Sequence, residues 1–558
     1  MRAYFIACLF LFHFALTRAD DGEYASVLLD PLSNRLYVED DVLEGAVAWA
    51  RFSNQVNKTG WSYLEVHTTS SYPDDIQSLA AGMVEGYLTA EFILMQWKNT
   101  LATYCSQNQK MCDKLKMFLY ENSIFLSSQI QSNHLDPYWY QVKLLYQQLT
   151  GLRRGYAASE TGMSNPLTSF DFNLMQLGAL SDLEHALMNR TETHHIVGEG
   201  SCSALIKVLP DNKDLFVSHV TWFYYTSMLR IYKLYELQLV NNSNPALHII
   251  AQNQSFSSYP GKLHSQDDFY MLSSGLVTQE TTNENYNNDL WQYINANSVM
   301  EWARTVIANR IAQDGRQWVS LFSKLNSGTY NNQWMVLDYK KFTPGQPVVP
   351  ETLWVLEQLP GMVQMADLSL SLKQNGYWAS YNIPFFEAIS TVSAQESMVK
   401  KYGSWFDYNL APRAQIFKRD QSKVVDLASM MKLMRYNDYT HDPLAKCNCT
   451  PPYSAVNAIS ARCDLNPASG KYPFDVLGHR SGGGIDAKIT SYELSQSFKV
   501  YAVSGPTHDQ QPVFNWTMSG WTRPLGHPDT WDFEPVMISW SETKTSEENL
   551  DNYLDLDA

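Results

Sequence analysis

Apolar residues recur at three- and four-residue spacing through IQSLAAGMVEGYLTAEFILMQW (residues 76–97), and the same texture runs on with few prolines. This predicts a helix-rich stretch over 76–150. Residues 151–170 are dense in Gly, Ser and Thr and read as loop, and FDFNLMQLGALSDLEHALMN (170–189) reads as one further helix. NRTETHHIVGEGS (189–201) then forms a polar, glycine-bearing connection that runs straight into Cys202. From there the pattern turns to β. Ala204–Val208 is a short strand, Pro210-Asp211-Asn212 a turn, and Leu215–Val220 the return strand. The segment 222–239 shows helical spacing, and further strands are expected at 334–339, 352–359 and 498–505. Irregular alternation of strands and helices favours a layered α+β architecture.

Composition narrows the class. The chain has 558 residues, 45% hydrophobic, which is too apolar for a disordered protein and enough for a large core. Its net charge is 41 − 57 = −16, which argues against nucleic-acid binding because phosphates would be repelled. At about 150 residues per domain, length alone suggests several domains.

The first 19 residues carry Arg2, an apolar run and a small-residue end at Thr17-Arg18-Ala19, and read as a secretory signal peptide. No other apolar run is long enough to span a bilayer, so stable membrane insertion is not expected. Asn57, Asn189, Asn241, Asn253, Asn448 and Asn515 lie in glycosylation sequons. Together these predict a glycoprotein of the secretory pathway, lysosomal or secreted. The acidic charge suits an acidic lumen.

Of seven cysteines, Cys8 leaves with the signal peptide. Cys105 and Cys112 are close enough to pair. Among Cys447, Cys449 and Cys463 two can pair, and Cys447 with Cys463 is the pairing taken forward. Cys202 is then either a partner for the leftover cysteine or a free, reactive thiol. His441 with the 447–463 cysteines fits no standard zinc spacing, so no metal and no cofactor are expected.

A turn centred between Pro210 and Asp211 would set Cys202 opposite His219, with Cβ atoms about 4.5–5.5 Å apart. A thiol with a pKa near 8.5 needs a base or a positive neighbour to attack. His219 is one candidate base. The other is the α-amine that a cut before Cys202 would create, with a pKa of about 7.7–8.0. The plainer reading is a buried cysteine at a strand end, partnered by His219. Nucleophile-elbow, H-E-x-x-H and P-loop motifs are absent. The Asn-dense stretches GLVTQETTNENYNND and LNSGTYNNQWMVLD read as surface loops, although buried amides such as Asn332 would be oxyanion donors.

SCSALIKVLP (201–210), followed by SHVTW and MLRIYK, resembles the phospholipase B-like family. GWSYLEV, AAGMVEGYLT, ETTN, NSGTYNNQW, SYNIPFF, PRAQIFKRDQ, LMRYNDY, DPLAKC, AISARCDLNP and GGIDAKIT follow in family order over nearly the whole mature chain. The resemblance implies an N-terminal-nucleophile hydrolase fold, a four-layer αββα sandwich. It also implies self-cleavage between Ser201 and Cys202, giving chains of about 20–201 and 202–558 that stay associated. Cys202 would then be the nucleophile of an acyl hydrolase acting on a small-molecule acyl ester, such as a phospholipid, or an amide. His219 and Trp222 match the H-x-T-W element. Thr281 or Thr282 would supply a pocket hydroxyl, Asn382 or Asn332 an oxyanion amide, and Arg413 an electrostatic or structural charge. Two features depart from the family pattern: C-N-C with Cys463 where relatives often show C-x-x-C, and Glu199 beside the scissile bond. The alternative function is a catalytically weak glycoprotein that binds a partner.

Overall fold

The computed structural model describes residues 22–188, 202–242 and 244–540. The expected signal peptide, the 189–201 connection with Ser201 and Asn189, and the acidic tail lie outside the described residues.

Strands alternate their side chains between two faces, and here most faces are covered. Ahead of the connection lie β1 (Glu23–Asp30), β2 (Arg35–Asp40), β3 (Ala48–Gln55) and β4 (Trp61–Thr68). After it come β5 (Ser203–Val208), β6 (Leu215–Val220), β7 (Arg230–Glu236), β8 (Asn253–Ser258), β9 (Phe269–Leu272) and β10 (Leu276–Thr282). Then follow β11 (Asn332–Asp338), β12 (Leu353–Leu359), β13 (Met362–Asp367) and β14 (Tyr377–Ser380). β15 (Asp486–Ser491), β16 (Val500–Ser504) and β17 (Val536–Ile538) complete the two large sheets. One sheet has eleven strands in the order β13-β12-β11-β10-β9-β8-β7-β4-β3-β1-β2; the other has six, β14-β5-β6-β15-β16-β17. All neighbours are antiparallel except β4 and β7, which pair in parallel from Trp61 opposite Arg230 to His67 opposite Glu236. That one parallel seam joins the chain ahead of the connection to the chain behind it.

Three apolar clusters follow from the strand parity. Leu64 and Val66 of β4 pack with α1 (Asp74–Leu88), α4 (Pro137–Ala158) and α7 (Glu301–Ile311). Trp61 and Tyr63, pointing the other way, meet Ala204, Ile206 and Val217 of the six-stranded sheet. Leu205, Phe216 and Ile489 face α9 (Pro412–Asp420) and α10 (Leu427–Met434). α1 and α4 cross closely because glycines face backbone: a Cβ on Gly82 would lie 1.9 Å from the Gln148 oxygen, and one on Gly155 1.9 Å from the Met83 oxygen. Among the described residues no helix is long and apolar enough to cross a membrane.

Several expectations are corrected. Residues 222–239 are not one helix: Trp222–Tyr224 and Arg230–Glu236 are strands, with a short 3-10 turn at Tyr225–Ser227 between them. Ile231 and Tyr235 alternate with Tyr232 and Leu234, and both sets are buried, so the apolar run carries no usable period. The 151–170 stretch is largely helical; α4 continues to Ala158, and Ser159 then caps a short helix at Glu160–Ser164. Gly151 and Gly155 mark a close helix crossing, not a loop. The single helix at 170–189 is two, Ser169–Gln176 and Leu180–Leu187, broken around Gly178. The Asn-dense stretches are surface loops only in part: Leu276–Thr282 and Asn332–Asp338 are the buried strands β10 and β11, whereas Asn288 and Asp289 are exposed. Strands β1–β4 went unread in the sequence.

Cys105 and Cys112 form a disulfide, as expected. The pairing of Cys447 with Cys463 does not occur. Cys447 bonds Cys449 instead, their Cα atoms lying 5.2 Å apart. Cys463 is buried in the core, its sulfur 3.3 Å from the Arg480 Nε–H.

Candidate active site

The β5–β6 hairpin differs in register from the sequence expectation. Ser203 pairs with Val220 and Ala204 with His219, because the turn is centred between Asp211 and Asn212, one residue beyond the expected Pro210–Asp211 centre. His219 is therefore not directly opposite Cys202. The slip is two residues, which preserves the face, so Ala204 and His219 still look into the space between the sheets.

Cys202 precedes β5 and is 1% exposed. Its φ is +103°, a region that side-chain-bearing residues rarely adopt. Arg413, near the start of α9, holds it there. Its Nη1 donates to the Cys202 carbonyl oxygen at 2.6 Å and to Ser203 Oγ at 3.2 Å. Its Nη2 donates to Asn382 Oδ1 at 2.7 Å. The guanidinium also lies 4.3 Å over the Trp222 ring. Burial pulls Arg413 down to about 9, against the opposing pull of the Cys202 thiol. Asn382 is itself at φ +69°, and its Nδ2 donates to the Thr282 oxygen at 2.7 Å. Two strained residues are thus tied to one guanidinium.

Burial pushes the Cys202 thiol well up, and the nearby Glu280 carboxyl adds to this. The Trp222 backbone N–H and the Lys488 ammonium act in the opposite sense. His219 is fully buried, and burial with Lys488 drives its pKa well down. Its Nε2 lies 2.9 Å from the Glu280 oxygen. A carbonyl only accepts, so Nε2 carries the proton and Nδ1 the lone pair.

A buried charge network adjoins these residues and was missed in the sequence. Asp486 Oδ1 accepts from the Thr221 N–H at 2.9 Å, and Lys488 Nζ reaches Asp486 and Thr221 Oγ1 at 2.7 Å each. Arg230 bridges Asp486, at 2.9 Å, and Asp267. Burial pulls Lys488 down to about 8. The readable signal was Asp-Ala-Lys at 486–488, whose alternation puts both charges on one strand face.

The other expected residues divide. Thr281 Oγ1 lies 2.7 Å from Ser380 Oγ and 3.4 Å from the Asn382 N–H, so Thr281 belongs to this group. Thr282 gives its carbonyl to Asn382. Asn332 pairs with Thr282 across β10–β11, on the face of Trp334, and no hydrogen bond ties it to Cys202 or Asn382. Trp222 donates its indole N–H to the Ile459 oxygen at 3.1 Å.

A cavity of about 630 Å³ opens beside the group, with Trp222, Thr282 and Tyr330 in its wall. Gln96, Tyr104 and Asp182 from ahead of the connection complete the wall, so both parts of the chain build it. Asp182 accepts from the Tyr330 N–H at 2.8 Å, and burial pushes its carboxyl up to about 7. Cys202, whose thiol meets the Trp222 backbone N–H, is not part of the lining. Among the described residues no group of three or more His, Cys, Asp or Glu is arranged to hold a metal ion.

Of the described sequons, Asn57 and Asn448 are exposed, and Asn241, Asn253 and Asn515 are half-buried. Asn515 Nδ2 donates to Asp529 at 2.8 Å and to Thr530 at 2.7 Å.

Comparison with known proteins follows the same residues. A family model described as Phospholipase B matches residues 48–538. The mouse protein named "Putative phospholipase B-like 2" is 47% identical over 527 residues, 92% of this chain and 89% of the mouse protein. The human protein of the same name is 48% identical over 530 residues, again 92% and 89%. "Phospholipase B-like protein B" of Dictyostelium discoideum is 39% identical over 502 residues, 88% of this chain and 85% of that protein.

Proposed function

The chain belongs to the phospholipase B family, and from that premise we propose that it is an acyl hydrolase whose nucleophile, Cys202, is freed by cleavage of the Ser201–Cys202 bond. The observation that carries the reading is the Arg413 bridge, which ties the Cys202 carbonyl to the Asn382 amide. In the uncut chain burial keeps the thiol protonated. Attack of the thiol on the Ser201 carbonyl, with N-to-S acyl shift, leaves a thioester and a free Cys202 amine. Water then releases the thioester, giving a Ser201 carboxylate and the thiol. The strained φ of Cys202 favours a step that loosens the chain there.

In the cleaved protein the thiol attacks a substrate carbonyl and passes its proton to the Cys202 α-amine, whose ordinary pKa is about 7.7–8.0. Asn382, whose Oδ1 Arg413 holds, would supply the oxyanion amide N–H. The ammonium returns the proton to the leaving alcohol or amine, and water, deprotonated by the amine, hydrolyses the acyl thioester. The substrate is an acyl ester such as a phospholipid, or an N-acyl amide; the 630 Å³ cavity beside Trp222 is of ligand-pocket size.

Three apolar clusters, one between the sheets and one on the outer side of each, support a four-layer αββα arrangement of the N-terminal-nucleophile type. The β4–β7 seam supports lasting association of the two chains. The leader-like N-terminus and the sequons support passage through the secretory pathway to a lysosome or out of the cell.

A second reading, a binding glycoprotein with little catalysis, is favoured by Cys202 lying outside the cavity lining. Fragment masses, the N-terminal sequence of the large fragment and fatty-acid release from phospholipids and N-acyl amides across pH separate the two. Fragments beginning Cys-Ser-Ala-Leu together with acid release support the hydrolase. Absence of release from every substrate supports the binding protein.

A further inference from the structure

A second cavity, of about 240 Å³, lies among α3 (Gln109–Ser132), α4 and the Ser169–Gln176 helix. Leu126, Leu149, Phe172, Leu177 and Trp302 form its apolar wall. Leu149 and Arg153 are four residues apart on α4 and so share a face. Arg153 lines the cavity half-buried, and none of the described ion pairs or side-chain hydrogen bonds uses its guanidinium.

The rest of the lining narrows the ligand. No Asp or Glu lines the cavity, so nothing there neutralises Arg153 or favours a cation. Ser123 and Thr150 direct their hydroxyls to carbonyls of their own helices, at 2.6 and 2.9 Å. The lining also holds Asn122, Tyr146, Ser169 and Asn173, but Arg153 is its one charged residue; beside the apolar wall this matches an amphiphile with a single anionic head. Its volume suits one acyl chain, not the two of a diacyl lipid. Leu177 also lines the larger cavity, so the two spaces have a lining residue in common.

We propose that this cavity is a binding site for a free fatty acid, with the chain along the Leu126–Leu149–Trp302 wall and the carboxylate on Arg153. The site stands apart from Cys202 and does not depend on the hydrolase reading. If that reading holds, the ligand has the chemistry of the enzyme's own product.

Dodecanoate and dodecanol, each below its aggregation threshold, would be titrated into the full-length protein. One dodecanoate should bind per chain. Arg153→Ala should weaken dodecanoate about tenfold and leave dodecanol unchanged. Leu149→Trp, which fills the cavity, should abolish both. A diazirine-bearing fatty acid on the unmutated protein should label peptides containing 119–126 or 146–153. The proposal is overturned if dodecanoate does not bind, if Arg153→Ala leaves its affinity intact, or if the label falls on Trp222 or Tyr330. Fatty-acid release is read separately: its absence would sink the hydrolase and leave this site, whereas absent dodecanoate binding would do the reverse.

Discussion

Arg413 donates to the carbonyl oxygen of Cys202 at 2.6 Å across 211 residues of sequence. The same guanidinium donates to Asn382 Oδ1 at 2.7 Å. One side chain therefore sets both the residue proposed to attack and the amide proposed to receive the developing charge.

Arg413→Lys should block or slow maturation by about tenfold or more. An ammonium has no planar fork to span two acceptors and stack on Trp222. Loss of the fork leaves buried acceptors unpaired, at a cost on the order of 2–4 kcal/mol. Gel analysis of fragment formation over time and thermal unfolding read the two effects.

Cys202→Ala should remain one chain. Cys202→Ser, with a weaker nucleophile, should cleave slowly or not at all. Two fragments from the alanine variant, cut at the same junction, would remove Cys202 from the maturation chemistry.

Glu85→Ala should loosen the seam between the two parts of the chain. Glu85 on α1 takes Lys233 Nζ of β7 at 2.7 Å and the Tyr235 hydroxyl, and Glu85 and Lys233 are buried. Removing the carboxylate leaves a buried ammonium, at about 3–5 kcal/mol. The urea midpoint should fall accordingly. In the unmutated protein the two fragments should co-elute natively and separate only in denaturant.

Stability should carry a pH signature from Glu357. Burial pushes this carboxyl up to about 7, despite donors from the Phe385 N–H at 2.7 Å and Gln333 Nε2 at 2.6 Å. Between about pH 4.3, where an unfolded Glu ionises, and pH 7 the folded state holds a proton that the unfolded state has lost. Stability from this group is therefore full at low pH and falls as pH rises through that window, by roughly 4 kcal/mol. Asp182 and Glu301, also near 7, act in the same direction, and His527, pulled down to about 3 by burial, opposes them up to about pH 6.5. The stability of the unmutated protein relative to Glu357→Gln should fall from pH 5 to pH 8. A constant difference would mean that the carboxyl titrates normally.

Glycopeptide mass spectrometry should find glycans on the exposed Asn57 and Asn448 and none on Asn515. A glycan on Asn515 would displace an Nδ2 hydrogen that Asp529 and Thr530 both need.

Much of this was written in the chain. The β5 and β6 strands, the Cys105–Cys112 disulfide and the ordered motif blocks were legible, because turns, short spacings and conserved-order words are local properties. Residues 222–239 misled, since the Arg230–Glu236 strand within them is buried on both faces and carries no alternation. The pairing of Cys447 with Cys463 misled because spacing cannot reveal which cysteine a core will enclose.

The sequence by itself determined which chemistry is present: one thiol after a polar connection, a His-x-Thr-Trp element and no standard metal motif. The tertiary structure alone decided what surrounds that chemistry. It set Ala204, not Cys202, opposite His219, buried the thiol against the Trp222 backbone, and brought Arg413 and the Asp486–Lys488 pair to it. Those relationships depend on register and on contacts between distant segments, which local patterns of residues do not encode.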